Sequence, residues 1–366
     1  MISIGIDGNE ANVKEGVGVS IYTLNLLNYF KNISDKDLVF NVYLKNYNLE
    51  FLPKESPSFK YRFVRPKALW SQFSLPINLI TENKNHVFFS PAHYAPRFCP
   101  IPLVVTLHDL SYYYYPDEFL KKDLYKLLNW TKYSVQKAKK IIAVSQSTKK
   151  DIIKFLKVPE NKIKVIYNGF EKKKKNASIK NKININKPYI LYVGTLQPRK
   201  NLITLVAAFN EFKKKYPEYK LVIVGKKGWL YEDIFKTVKS FKLEKEVIFT
   251  GYVNSNVLIR LYQNAFCFVL PSFYEGFGIP ILEAMSYKCP VICSNTSSLP
   301  EIVGDAALFF NPNNYPELLK QFLTLETSSN LRTKLIDKGL KRTKNFSWQK
   351  CAKETLDILI EAAKES

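Results

Sequence analysis

The chain has 366 residues, 46% of them apolar, with 55 Lys and Arg against 32 Asp and Glu and a net charge of +23. That length and apolar content suit two packed domains and exclude a disordered chain. Five scattered cysteines, at 99, 267, 289, 293 and 351, read as core thiols of a reducing cytosol, and no apolar run is long enough to span a membrane.

Residues 2–6 read as a first strand, with no basic region before them, rather than as a signal peptide. A loop with Gly16 and Gly18 follows, then an amphipathic helix through Ile21, Leu24, Leu27 and Phe30. Asp35-Lys36-Asp37 is an Asp-x-Asp of metal-binding type. It lies between a helix and a strand, remote from the other motifs, and reads as a surface turn. Further strands are predicted at 39–44, 61–64, 87–89, 103–107, 141–144 and 163–166, with Ser145 as a helix N-cap. His108 and Asp109 end the strand 103–107, and an aromatic run, Tyr112 to Tyr115, comes just after them. It has three readings: stacking on a sugar, a lipid interface, or partial core.

A helix over 120–140 places Leu120, Leu124, Leu127, Leu128, Val135 and Ala138 near one stripe. Lysines 121, 122, 126, 132, 137, 139 and 140 cover much of the rest. Such a helix can rest on anionic lipid, but a core-facing stripe with a solvated back is the preferred reading. Residues 101–187 hold 20 basic and 7 acidic side chains. A lysine-rich composition explains the total charge but not this clustering, which would attract phosphates of nucleic acid, lipid or a small ligand.

Residues 171–187, with "KKKKN" and "KNKININK", break the pattern and read as an exposed linker. Alternation then restarts. Strands at 189–193, 221–224, 247–250, 266–270 and 291–294 alternate with helices at 202–214, 231–241, 256–264 and 280–287. Helical stretches at 316–325 and 331–343 follow, and a last helix starts at Trp348. This alternation predicts an α/β chain of two doubly wound parallel-sheet domains, 1–170 and 188–347. Ligands of such sheets sit at the carboxyl ends of strands. Gly16 and Gly18, His108, Arg199 and Lys200, and 275–278 all fall there.

The segment from Phe273 to Ala284, "FYEGFGIPILEA", carries the most chemistry. Glu275 and Glu283 flank a Gly276-Phe277-Gly278 turn, and Pro280 suits the first turn of a helix. Backbone N–H groups at a turn and helix start bind anions. A carboxylate beside them suits sugar hydroxyls. Fixed cations at Arg199 and Lys200 suit a departing diphosphate. Lys226 and Lys227 in "GKKGW" also follow a strand, but read as solvated. "GVGVSI" lacks the third glycine of a dinucleotide fingerprint, which disfavours NAD.

The Glu275, seven residues, Glu283 pattern resembles the signature of the retaining GT-B glycosyltransferases of family 4. "GVGVSIYTLNLL", "VVTLHDL" and "ILYVGTLQPRKNL" resemble that family in the same order. The resemblance covers nearly the whole chain. It implies two Rossmann-like domains facing a central cleft: an acceptor-side domain joined by a returning helix, 348–366, and a nucleotide-sugar-binding domain.

It further implies that Glu283 takes the nucleotide's ribose hydroxyls and that Glu275 faces the transferred sugar or its phosphates. Phe277, Gly278 and Ile279 would offer N–H groups, and Gly18 a close approach to the donor phosphate. Val253, in Gly251-Tyr252-Val253, would belong to the loop that reads the base. His108 would hold the donor sugar and assist the reaction. Thr195 stands where the family commonly has an arginine, with Arg199 beside Lys200 instead, as in its mannosyl- and rhamnosyltransferase-like members.

The expected activity is transfer of a hexosyl unit, with GDP-mannose as leading donor, to a saccharide or lipid-linked saccharide. No metal or other cofactor is expected, and no nucleic-acid partner. The expected place is the cytoplasm, at the inner face of the cell membrane. A nucleotide-sugar epimerase of the same fold and a basic nucleic-acid-binding protein are the alternatives.

Overall fold

The computed structural model describes all residues except 15, 17, 34, 48, 49, 83, 174–184, 186, 187 and 366. Most of the expected linker, 171–187, therefore lies outside the described residues. The chain divides into one unit of Met1–Gly169 with Phe346–Ser366, and another of Phe170–Asn345.

The first unit runs β1 (Ile2–Asp7), α1 (Val19–Lys31), β2 (Leu38–Leu44), β3 (Phe59–Phe63), α2 (Ser74–Glu82), β4 (Val87–Ser90), β5 (Leu103–Leu107), α3 (Ser111–Tyr114), α4 (Lys121–Lys137), β6 (Lys140–Ala143), α5 (Gln146–Leu156) and β7 (Ile163–Val165). Its sheet has the order β3-β2-β1-β4-β5-β6-β7 and every pairing is parallel. β4 and β5 are buried along their whole length. Helices cover both faces of such a sheet, so its central strands read as unbroken apolar runs. α1 turns Tyr22, Leu26, Leu27 and Phe30 inward.

The second unit continues with β8 (Tyr189–Val193), α6 (Leu202–Lys215), β9 (Lys220–Val224), α7 (Glu232–Ser240), β10 (Val247–Gly251), α8 (Ser255–Asn264), β11 (Cys267–Leu270), α9 (Ile279–Ser286), β12 (Val291–Ser294), α10 (Leu299–Val303), β13 (Leu308–Phe310), α11 (Tyr315–Thr327) and α12 (Ser329–Thr343). Its parallel sheet has the order β10-β9-β8-β11-β12-β13. The last helix, α13 (Trp348–Lys364), packs back on the first unit and buries Cys351, Ala352, Leu356 and Leu359 there.

Both sheets reverse strand order beside their first strand, between β1 and β4 and between β8 and β11. In open parallel sheets the loops that leave such a pair run to opposite faces and leave a crevice at the strand ends.

Several elements differ from the sequence reading. α2, α10 and β13 have no counterpart in it. α4 stops at Lys137, so Lys139 and Lys140 are not helical. Lys140 pairs with Glu361 at 2.5 Å and Glu365 at 3.1 Å, and Lys139 with Glu365 at 3.5 Å. Leu120 stands out in solvent, while Leu124, Leu127, Leu128 and Val135 pack on the core. The stripe of α4 is thus a core stripe. The described residues contain no helix long and apolar enough to cross a membrane. Asp35 and Asp37 are exposed, and Asp35 caps the turn by accepting from the Asp37 amide at 2.8 Å.

Candidate active site

In the second unit, the loops after β8 and β11 are stitched together. After β8, Pro198–Lys200 forms one turn of 3-10 helix that ends at Asn201. The Asn201 side chain donates to the carbonyls of Pro271 and Pro312, at 3.0 and 2.8 Å. The Phe273 amide donates to the Arg199 carbonyl at 3.0 Å, and the Arg199 guanidinium to the Tyr274 carbonyl at 2.6 Å. Lys200 Nζ lies 2.5 Å from Glu275 Oε1, and Arg199 lies 3.9 Å from Glu275 Oε2. Three of the residues expected to be catalytic, Lys200, Arg199 and Glu275, are therefore in one cluster at the switch point.

Glu275 is fixed from several sides. Ser272 Oγ donates to its carboxylate at 2.7 Å. Its amide donates to Ser297 Oγ at 2.9 Å, and Ser298 Oγ donates to its carbonyl at 2.8 Å. Burial pushes this carboxyl up, but Lys200 and Arg199 outweigh burial and hold it below the ordinary carboxylate range. A carboxylate so held is ionised at neutral pH and oriented by the protein alone. Asn201, Ser272, Ser297 and Ser298 were not found from the sequence. Their one signal is position, small polar residues just past a strand end.

Gly276, Phe277 and Gly278 continue from this loop and are buried. Gly278 caps α9 with φ of 92°, a left-handed conformation that glycine adopts without strain. α9 opens at Ile279, one residue before Pro280, so the loop that holds Glu275 runs through Gly276–Gly278 directly into the helix N-terminus. Glu283, one turn in, accepts from Tyr262 Oη at 3.1 Å. Burial raises its carboxyl above the ordinary range, with Lys173 opposing. Thr195 is exposed after β8, and its carbonyl accepts from Tyr192 Oη at 3.2 Å. Val253 is half-buried after β10 and packs on the core. Neither is drawn into the Glu275 cluster by a side-chain hydrogen bond among the described residues. Lys226 lies over the Tyr252 ring and Lys227 over Tyr231 and Phe235, at 4.9 to 5.0 Å.

In the first unit, His108 follows β5. Its Nε2 donates to the Pro91 carbonyl at 2.8 Å. Its ring meets the Tyr22 ring edge-on at 4.9 Å and the His93 ring at 5.9 Å. Burial, with His93 beside it, lowers its pKa to about 4. At neutral pH His108 is therefore an uncharged imidazole with its proton on Nε2. Gly18 caps α1 with φ of 50°, and nothing lies within 4 Å of where a Cβ would stand. Its carbonyl accepts from the Tyr22 amide at 3.0 Å, so Gly18 and His108 share Tyr22 as a neighbour. His93 also escaped the sequence reading. Its Nδ1 is buried and has no hydrogen-bond partner among the described residues. The tyrosine run is structural: Tyr112 is buried, Tyr113 stacks on Phe155 at 4.6 Å, and Tyr114 Oη donates to Asp151 at 2.7 Å.

Two family descriptions match this chain, "Glycosyltransferase Family 4" over residues 13–174 and "Glycosyl transferases group 1" over residues 173–342. The O-antigen chain mannosyltransferase B of Escherichia coli is 32% identical over 310 residues, 81% of this chain and 78% of that one. The chain belongs to the group 1, family 4 glycosyltransferases. It is accordingly an enzyme, a hexosyltransferase. A second relative of this glycosyltransferase, the O-antigen chain mannosyltransferase RfbU of Salmonella typhimurium, is 31% identical over 316 residues, 82% of this chain and 85% of that one. Among solved structures, sucrose-phosphate synthase from Thermosynechococcus elongatus superimposes with a TM-score of 0.78 at 18% identity, covering 100% of both chains. Anabaena Alr3699/HepE, solved in complex with UDP and glucose, gives 0.73 at 18% identity over 98% of this chain and 99% of that one. These likenesses establish the fold: two Rossmann-like parallel-sheet domains of the GT-B class.

Proposed function

We propose that this glycosyltransferase moves a mannosyl unit from GDP-mannose to a saccharide or lipid-linked saccharide, with retention of configuration, in surface polysaccharide synthesis. The observation that carries the donor site is the Lys200–Glu275–Arg199 cluster at the β8/β11 switch point, on the loop that leads into α9. The choice of mannose rests on the names of the relatives, both O-antigen mannosyltransferases. A lipid-linked acceptor would bring the enzyme to the inner face of the cell membrane.

In this reading the N–H groups of Phe277, Gly278 and Ile279 and the cations of Lys200 and Arg199 bind the donor diphosphate. Gly18 leaves room for a close approach of the donor. Glu283 binds ribose hydroxyls, and Val253 lies in the loop beside the base. Glu275 serves two ends: it orients Lys200 and offers its carboxylate to a sugar hydroxyl. The bond from the anomeric carbon to the diphosphate oxygen breaks on the face where the acceptor arrives. Lys200 and Arg199 stabilise the charge gained by the diphosphate. The acceptor oxygen bonds to the same face, and its proton passes to the departing phosphate. His108, neutral and fixed by the Pro91 carbonyl, holds the sugar through a hydrogen bond rather than a charge. Two fixed cations supply the stabilisation a divalent metal would give, so turnover is expected to need none.

The test is a thermal-shift and nucleotide-release screen against GDP-, UDP- and dTDP-sugars with EDTA present, followed by anomeric analysis of the product. Stabilisation and slow hydrolysis by GDP-mannose, and an α-linked product, support the reading. A strict metal requirement, or preference for a UDP-sugar, would overturn the corresponding part.

A further inference from the structure

Tyr262, on α8, is fully buried, and a buried phenol needs a partner for its O–H. Tyr189 and Tyr192 in the same core satisfy theirs on the carbonyls of Leu261 and Thr195, at 2.8 and 3.2 Å. Tyr262 instead donates to Oε2 of Glu283, at 3.1 Å, and so fixes a side chain rather than the backbone. Burial, then the Glu283 charge, push this phenol well above its ordinary range, so it stays protonated. Glu283 is only partly buried, and its Oε1 has no hydrogen bond to a described residue. A carboxylate has about four lone-pair directions, so one bond from Tyr262 leaves enough for two hydroxyls.

Tyr262 is itself held. Its ring stacks on Tyr287, with centroids 6.0 Å and planes 18° apart, and meets Phe268 edge-on at 5.7 Å. Tyr287 follows α9, the helix that carries Glu283, and its amide donates to the Glu283 carbonyl at 3.2 Å. Its Oη donates to the Lys173 carbonyl at 2.8 Å, and the Lys172 ammonium lies over its ring at 5.3 Å. Residues 172 and 173 stand at the entry to the second unit, which begins at Phe170. Burial raises the Glu283 carboxyl, while the Lys173 charge and then the Tyr262 hydrogen bond oppose it. Support for Glu283 thus comes from α8, from the end of α9 and from the chain entering the unit.

We propose that Tyr262 is a positioning residue for donor recognition: it holds Glu283 toward the two hydroxyls of the donor ribose, and Tyr287, tied to Lys173, braces it. A glutamate free in solvent must have its torsions ordered when a ligand arrives. Here the fold orders them beforehand, which raises affinity for a ligand that uses both hydroxyls. The phenol-to-carboxylate bond is charge-assisted, so it holds Glu283 more firmly than a neutral partner would. The tie to Lys173 makes ribose recognition depend on the segment that enters the second unit. The inference deepens the proposed donor reading and rests on its assignment of Glu283 to the ribose.

The test is calorimetric titration of the full chain, in EDTA, with GDP and its dideoxyribose analogue, which lacks both hydroxyls. UDP and its dideoxyribose analogue are run beside them, so that the wrong base does not hide the effect. The members of each pair carry the same charge, so their affinity ratio reports the ribose hydroxyls alone. Wild type should prefer the ribose form by at least about tenfold, the worth of hydrogen bonds to a charged group. Tyr262→Phe keeps the ring and its packing but lacks the O–H, and its preference should fall to about threefold or less. Tyr287→Phe releases Lys173 and leaves the Tyr262 bond in place, and its preference should fall by about twofold. A merely structural role would lower the thermal midpoint and weaken both nucleotides alike, leaving the ratio as in wild type. A wild-type ratio in Tyr262→Phe would therefore overturn the positioning role, and one in Tyr287→Phe the brace; should Tyr262→Phe not fold, Tyr287→Phe decides alone. Wild type that binds both members of each pair equally would instead strike at the assignment of Glu283, the functional reading beneath the proposal.

Discussion

At the carboxyl ends of the first sheet, His108 sits among Tyr22, His93 and the Pro91 carbonyl, and burial keeps it uncharged. At the ends of the second sheet, Glu275 is just as enclosed, yet Lys200 and Arg199 keep it ionised. Both clusters stand at or beside a point where strand order reverses. Strand order thus sets where a cluster forms, and the neighbours set its charge. The first cluster is suited to hydrogen bonds with neutral hydroxyls, the second to a diphosphate.

The largest expected break of this contrast is at Lys200. Lys200→Ala should cut turnover by about 10²–10³-fold, the usual loss for a group whose hold on the diphosphate strengthens as charge develops in the transition state. Steady-state kinetics should show the fall in kcat rather than KM; an unchanged kcat would remove Lys200 from the diphosphate site.

Acid should separate the two clusters. His108 has a lowered pKa when folded, so the unfolded chain takes up protons first. Stability is full above about 6.5 and is lost as pH falls toward about 4, by about 3 kcal/mol at most. Glu275 has a lowered carboxyl pKa, so its contribution persists until the pH drops below about 4.5. Urea unfolding at about pH 7.5 and about pH 5 should therefore show loss in the first unit before the second. His108→Gln should flatten that dependence; a variant with an unaltered pH profile would show that the imidazole is not held neutral by its surroundings.

Glu283→Ala should weaken donor binding by roughly 10-fold, the worth of one charge-assisted hydrogen bond, with kcat little changed. Calorimetric titration distinguishes this from a loss of turnover. The smallest effect is expected at Lys227, which rests over Tyr231 and Phe235 rather than in the Glu275 cluster. Lys227→Met should change donor affinity by less than about threefold, in line with a surface cation; a larger fall would extend the diphosphate site across the loop after β9.

The alternation of strands and helices was legible because parallel strands covered on both faces are plain apolar runs, as in Leu103–Leu107 and Cys267–Leu270. Gly278 and Pro280 marked the start of α9 for similar local reasons. α2 was hidden because Pro76 lies inside it and its apolar residues at 77 and 80, like Phe73 just before it, face away from the core. β13 is only three residues long. The hold on Glu275 by Ser297 and Ser298, and the stitching by Asn201, arise from strand neighbours far apart in sequence, which no local pattern records. The same is true of Lys140, whose partners Glu361 and Glu365 come from the last helix. His93 had no motif around it; only the adjacency of β4 and β5 places it next to His108.

The most direct test of the diphosphate site is calorimetry of GDP against GMP on wild type and Lys200→Ala, in EDTA. Wild type should bind GDP more tightly than GMP, and Lys200→Ala should lose that preference while holding GMP as before. Equal binding of GDP and GMP by wild type, or a preference that survives in Lys200→Ala, would contradict the assignment of the Lys200–Glu275–Arg199 cluster to the donor diphosphate.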